Sequence, residues 1–161
     1  QMIGPATSEA VPLVAGTVLF VCSANSARSQ LAAALWNRAS ASPAQSAGTH
    51  PAPEVHPLAV RAAARVGLDL TGARPRSIGA IRRRTDLIVT VCDRAREELA
   101  PFAKDAVTLH WSVPDPVQDA RLRAFDETIV AFDARISALQ RYVHPAPRRR
   151  RSSIRQTTEG R

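Results

Sequence analysis

Cys22 and Arg28 stand six residues apart, with Ser23, Ala24, Asn25, Ser26 and Ala27 between them and Ser29 directly after. A thiol and a guanidinium at this spacing can serve one anion. The sulfur acts as nucleophile, the arginine as a two-pronged clamp, and the small residues let main-chain N–H groups curl around the oxygens. Thr17 to Val21 is an apolar, β-branched run that reads as a strand, and Gln30 to Trp36 is Ala/Leu-rich and reads as helix. The loop between them therefore lies at a helix N-terminus, where the dipole favours a tetrahedral oxyanion. The same field predicts a Cys22 thiol that ionises below its ordinary range. Ser29 can hydrogen-bond the sulfur, and Asn25 can brace the loop through its amide. The plainer alternative is a buried structural cysteine followed by a solvated helix start.

Asp115 is the second chemical candidate, because a carboxyl group between Pro114 and Pro116 is held on a stiff loop and could donate a proton to a leaving oxygen. Its alternative is a simple turn before the last helix. Cys92 closes an apolar run and by itself reads as inert packing. His50 and His56 lie beside prolines, lack a ligand partner at helical spacing, and read as loop or cap residues. No metal site is expected: the two cysteines match no zinc spacing and form no secreted disulfide framework.

The elements that must position these groups alternate. Strands are predicted at Ala44 to Gly48, Asp86 to Cys92 and Ala106 to Trp111, with helices from Gln30 to about Ala39, Pro57 to Val66 and Arg94 to Leu99. Leu122, Phe125, Ile129, Phe132, Ile136 and Leu139 then form one face of a long amphipathic helix. This order predicts a single α/β domain: a four-stranded parallel sheet with helices on both faces and a ligand site at the carboxyl ends of the strands. Only 4% of the residues are aromatic, so Ala, Val and Leu must fill the core. No apolar run approaches the roughly 18 residues of a membrane span, and a cytoplasmic protein is expected.

The ends read as attachments: residues 1–16 as a flexible lead-in, 17–144 as the domain, and 145–161 as a basic disordered tail. From Arg148 onward the tail holds six Arg and one Glu, hence five of the eight net positive charges. Arg148 to Arg151 could form an electrostatic arm, but no aromatic residue interleaves the arginines, and no clear nucleic acid or membrane partner is indicated.

Cys22-x5-Arg28-Ser29 resembles the low-molecular-weight protein tyrosine phosphatase superfamily, which includes the thiol-dependent arsenate reductases. Ser46-Ala47-Gly48-Thr49, Gly67 to Arg74 and Val113-Pro114-Asp115-Pro116 extend the likeness in the family's order over roughly residues 17–143. Asn25-Ser26-Ala27-Arg28-Ser29-Gln30, Val89-Thr90-Val91-Cys92 and His110-Trp111 are similar to the reductase branch. Typical phosphatases have proline where Gln30 stands and two tyrosines where Val117-Gln118 follow the acid loop.

The resemblance implies Cys22 as nucleophile, Arg28 with Ser23 to Ala27 as the oxyanion cradle, Ser29 as support, Asp115 as general acid and Cys92 as a resolving thiol. It also implies departures. Leu99 occupies the position of the third cysteine of thioredoxin-coupled reductases, and Ala33 that of an acid near a monovalent-cation site. With no bound cofactor, reduction would finish with mycothiol, bacillithiol, glutathione or a thioredoxin-type protein, or through a Cys22–Cys92 disulfide. Arsenate reduction is the first expectation, with a small oxyanion as substrate and a redox protein as partner. The alternative is hydrolysis of phosphotyrosyl proteins through a phosphocysteine. A non-enzymatic oxyanion-binding module would need an inert Cys22.

Overall fold

A computed structural model describes residues 12–147. Val18–Cys22 (β2) is the innermost strand, and all five of its residues are buried, as a parallel strand covered on both faces requires. It pairs with Ala44–Gly48 (β3) on one side and Leu87–Thr90 (β4) on the other, and β4 pairs with Val107–His110 (β5). The order β3-β2-β4-β5 is all parallel. In register, Cys22 lies beside Gly48 and Val21 beside Thr90, so the residues that follow these strands emerge at one sheet edge.

Helices cover the sheet on both faces. Arg28–Ala39 (α1) packs on β2, β3 and the long helix Leu122–Leu139 (α5), while Pro57–Arg65 (α2) also lies against α5 and Asp93–Leu99 (α3) packs against β2 and β4. The expected stripe of α5 is the buried one, with Phe125, Ile129, Phe132 and Ile136 in the core and Leu122 and Leu139 at its margin. Aromatic rings fill the volume that so few large residues must cover: Phe20 packs against Trp36 and Trp111, and Trp111 against Phe132.

Three boundaries differ from the sequence expectation. The helix after the loop begins at Arg28 rather than Gln30, which places the guanidinium in its first turn. Strand β4 stops at Thr90, and Cys92 is the N-cap of α3 rather than a strand residue. Residues 12–16, assigned to the lead-in, instead carry Leu13–Val14 (β1), which pairs in parallel with Val143–His144 (β6) and leads into the fully buried Ala15. Leu13 N donates to Tyr142 O at 2.7 Å and Ala15 N to His144 O at 2.9 Å, satisfying main-chain groups that would otherwise be stranded beside the core. The rest of the lead-in and the Arg148 to Arg151 tail lie outside the described residues. Among the described residues, no helix is long and apolar enough to cross a membrane.

Candidate active site

The chain leaves β2 at Cys22 and curls through Ser23 to Ala27 before α1. Asn25 is the turning point, with φ at 49°, a left-handed conformation that asparagine tolerates better than most residues. Its buried side chain holds that conformation from several directions. Nδ2 donates to Ser29 Oγ at 2.7 Å, and Oδ1 accepts from Arg76 N at 2.8 Å and from Gln30 Nε2 at 3.1 Å. Gln30 also donates to the Asn25 carbonyl at 3.1 Å.

Outside the loop, the chain leaving β3 ties down its carbonyls. Thr49 N donates to Cys22 O, His50 N to Ser23 O, Ala52 N to Ala24 O and His56 N to Ser26 O, at 2.8–3.2 Å. Four of the loop's carbonyl acceptors are thereby engaged by the chain after β3. Gly48 permits the close approach: a Cβ on it would meet Ser23 O at 2.5 Å and Asn25 N at 3.0 Å. His56 takes the cap role expected of it, accepting from Leu58 N at the start of α2.

Cys22 Sγ lies 2.9 Å from Ser29 Oγ and accepts from Asn25 N at 3.2 Å. The sulfur is nearly enclosed, and burial pushes the Cys22 thiol up from its ordinary value, outweighing the hydrogen bonds from Ser29 and Asn25 and the charge of Arg28. This corrects the expectation of a lowered thiol. A loop buried enough to exclude water penalises an uncompensated thiolate, even though every polar neighbour named here favours one.

Arg28 reaches across to the acid loop, its Nη1 donating to Val113 O at 3.0 Å and its Nη2 lying 3.5 Å from Asp115 Oδ2. Asp115 also accepts from Val117 N at 3.1 Å through Oδ1, capping the short helix Pro116–Asp119 (α4). Asp115 thus caps a turn and also pairs with Arg28 at the cavity. Cys92 Sγ accepts from Ala95 N at 3.4 Å and lies 3.5 Å from Ser23 Oγ. Both cysteines are free thiols.

Cys22, Arg28, Cys92 and Asp115 all line one open cavity of about 630 Å³. Trp111 does not line it; its ring belongs to the aromatic core packing. His110 is turned to Asp93 (2.7 Å) and Thr90 Oγ1 (2.8 Å). Among the described residues, no group of three His, Cys, Asp or Glu is placed to hold a metal ion.

Sequence reasoning missed several groups. Gln30, five residues away, and the main chain of Arg76 brace Asn25, and the Val113 carbonyl orients Arg28; the last two contacts span 51 and 85 positions and leave no local pattern. Asp93 and Arg94, also on the cavity wall, could have been found as two opposite charges directly after Cys92 at a strand's carboxyl end.

The chain belongs to the low molecular weight phosphotyrosine protein phosphatase family, whose model matches residues 17–148. Within it, an arsenate reductase of Brevibacillus brevis is 36% identical over 130 residues, spanning 70% of this chain and 95% of the relative. A crystal structure of arsenate reductase from Archaeoglobus fulgidus is 30% identical with a TM-score of 0.67, covering 76% of this chain and 98% of that one. A thioredoxin-dependent arsenate reductase of Corynebacterium glutamicum is 28% identical with a TM-score of 0.63, covering 84% and 63%.

Proposed function

We propose that this protein is a thiol-dependent arsenate reductase. The observation that carries the reading is the presence of two free thiols, Cys22 and Cys92, on the wall of the cavity that Arg28 serves. The named activity of the relatives at 30% identity or more supports it.

Arg28 and the loop N–H groups hold the oxyanion while the Cys22 thiol passes its proton to an arsenate oxygen and its Sγ attacks arsenic. Asp115 supplies the proton that lets one arsenic oxygen leave as water. A Cys22–S–As(V) adduct results. Cys92 Sγ then attacks Cys22 Sγ: the S–S bond forms, the S–As bond breaks with its electron pair on arsenic, and arsenite departs. Two thiols have been oxidised and arsenic reduced by two electrons. Ser23 Oγ, 3.5 Å from Cys92 Sγ, can hydrogen-bond that sulfur, and the Cys92 proton goes to the departing arsenite oxygen or to water. An external thiol, either a small molecule or a thioredoxin-type protein, restores the pair.

Hydrolysis of a phosphate ester is the second reading, favoured by the Arg28–Asp115 pairing, which suits phosphocysteine chemistry equally. It would regenerate Cys22 with water and consume no reductant. Arsenite production in step with thiol consumption, run beside p-nitrophenyl phosphate hydrolysis, separates the two. Cys22→Ser should abolish both activities, and arsenite formation by that variant would remove the mechanism.

A further inference from the structure

The cavity is much larger than its anion needs. A tetrahedral oxyanion occupies roughly the volume of three or four waters, on the order of 100 Å³, against about 630 Å³ in this open cavity. Cys92, Asp93, Arg94, Val117 and Gln118 line it besides the Cys22 loop.

Asp93 and Arg94 are adjacent, opposite in charge and both well exposed, at 65% and 63% of their side chains. Each is nonetheless fixed from behind. Asp93 Oδ1 accepts from His110 Nε2 at 2.7 Å, and His110 is itself held by Thr90 Oγ1 at 2.8 Å. Arg94 spends its Nε on Glu98 Oε1 at 2.7 Å, and Glu98 is backed by His50 at 3.2 Å. Ser112 and the charge of Arg96 also bear on the Asp93 carboxylate, which stays exposed, and the two Nη groups of Arg94 are left for a ligand, next to a thiol. Pre-fixed charges of both signs recognise a zwitterion at little entropic cost.

We propose that Asp93 and Arg94 form a docking site for a cysteine-derived small thiol bearing both an ammonium and a carboxylate group, presented to Cys92. The inference rests on the reductase reading and specifies its reductant. The bound thiolate attacks Cys92 Sγ of the Cys22–Cys92 disulfide, forming a mixed disulfide at Cys92 and releasing the Cys22 thiolate. A second thiol attacks the outer sulfur, giving the small-molecule disulfide and the Cys92 thiolate. Two electrons pass from the thiols to the protein pair, and two thiol protons go to the two protein sulfurs or to water. Leu99 gives the segment after Cys92 no third sulfur to which the disulfide could pass.

The test measures re-reduction rates of the oxidised protein by cysteine and glutathione (both charges), cysteamine (ammonium only), 3-mercaptopropionate (carboxylate only) and 2-mercaptoethanol (neither). Each rate is divided by that of a variant, so that intrinsic thiol reactivity cancels. Asp93→Asn should slow the ammonium-bearing thiols and Arg94→Gln the carboxylate-bearing ones, each by roughly tenfold, as expected for one lost charge-assisted contact, with 2-mercaptoethanol unmoved. The oxidised protein is prepared twice, with arsenate and with diamide. If diamide forms the disulfide and arsenate does not, the reductase reading fails, and the thiol series on diamide-oxidised protein still judges the site. Equal slowing of all five thiols by either variant overturns the docking site, as does no slowing at all. Failure of both oxidants to form the bond removes the site and the reading together.

Discussion

The Ser29 hydroxyl stands between Cys22 Sγ at 2.9 Å and Asn25 Nδ2 at 2.7 Å, so one oxygen links the nucleophile to the residue that shapes its loop. Asn25 Nδ2 can only donate, which leaves the Ser29 proton to point at sulfur. Ser29→Ala removes a hydrogen bond that favours the thiolate, in a site where burial already pushes the thiol up. The rate should fall about 10–100-fold, the value of a hydrogen bond to a charged group, and the rising limb of the pH–rate profile should move to higher pH. A fall in rate with an unmoved limb would assign Ser29 to loop structure alone.

Asn25 combines a left-handed backbone with a buried amide that makes three side-chain hydrogen bonds, and two substitutions separate these roles. Asn25→Gly keeps the conformation and loses the hydrogen bonds, whereas Asn25→Ala loses both. Urea unfolding should show Ala less stable than Gly by about 1 kcal/mol, with both well below the parent. Equal stabilities would mean that the φ of 49° costs nothing.

Asp115→Asn retains the capping oxygen of α4 but has no acidic proton. Hydrolysis of aryl phosphates with poor leaving groups should fall by about 10²–10⁴, and hydrolysis of those with good leaving groups much less. A uniform loss along the leaving-group series would reduce Asp115 to its cap and its Arg28 contact.

Glu98 gives a pH dependence of stability. Thr49, Arg94 and His50 hold its carboxyl down at about 2. A carboxyl depressed in the folded state stabilises it above the unfolded value near 4.5, and that contribution disappears as pH falls through about 2. Glu98→Gln should therefore lose less stability than the parent between these pH values. Parallel stability curves would contradict the assignment.

The sequence made some of this legible and hid the rest for identifiable reasons. The face of α5 is a pattern of period three to four, and β2 a continuous apolar run, each set by its own residues and the layer it buries. The Cys22 loop was readable because thiol, small residues and arginine are all local in the chain. Strands β1 and β6 are two residues each and meet only across the whole domain, which no window of sequence contains. The position of Cys92 as a helix cap rather than a strand end follows from where β5 stops supporting β4, a tertiary effect. The direction of the Cys22 thiol was misread because Ser29, Asn25 and Arg28 are local in the sequence, whereas the burial that outweighs them is a sum over neighbours far away in the chain.

The most direct measurement is a single arsenate turnover without external thiol, followed by acid quench and mass spectrometry of the intact and digested protein. A resolving role for Cys92 predicts one equivalent of arsenite, a loss of two protons' mass and a peptide pair joined through Cys22 and Cys92, all absent in Cys92→Ser. Arsenite released while both cysteines remain alkylatable, or arsenate returned unchanged while p-nitrophenyl phosphate is hydrolysed, would contradict it.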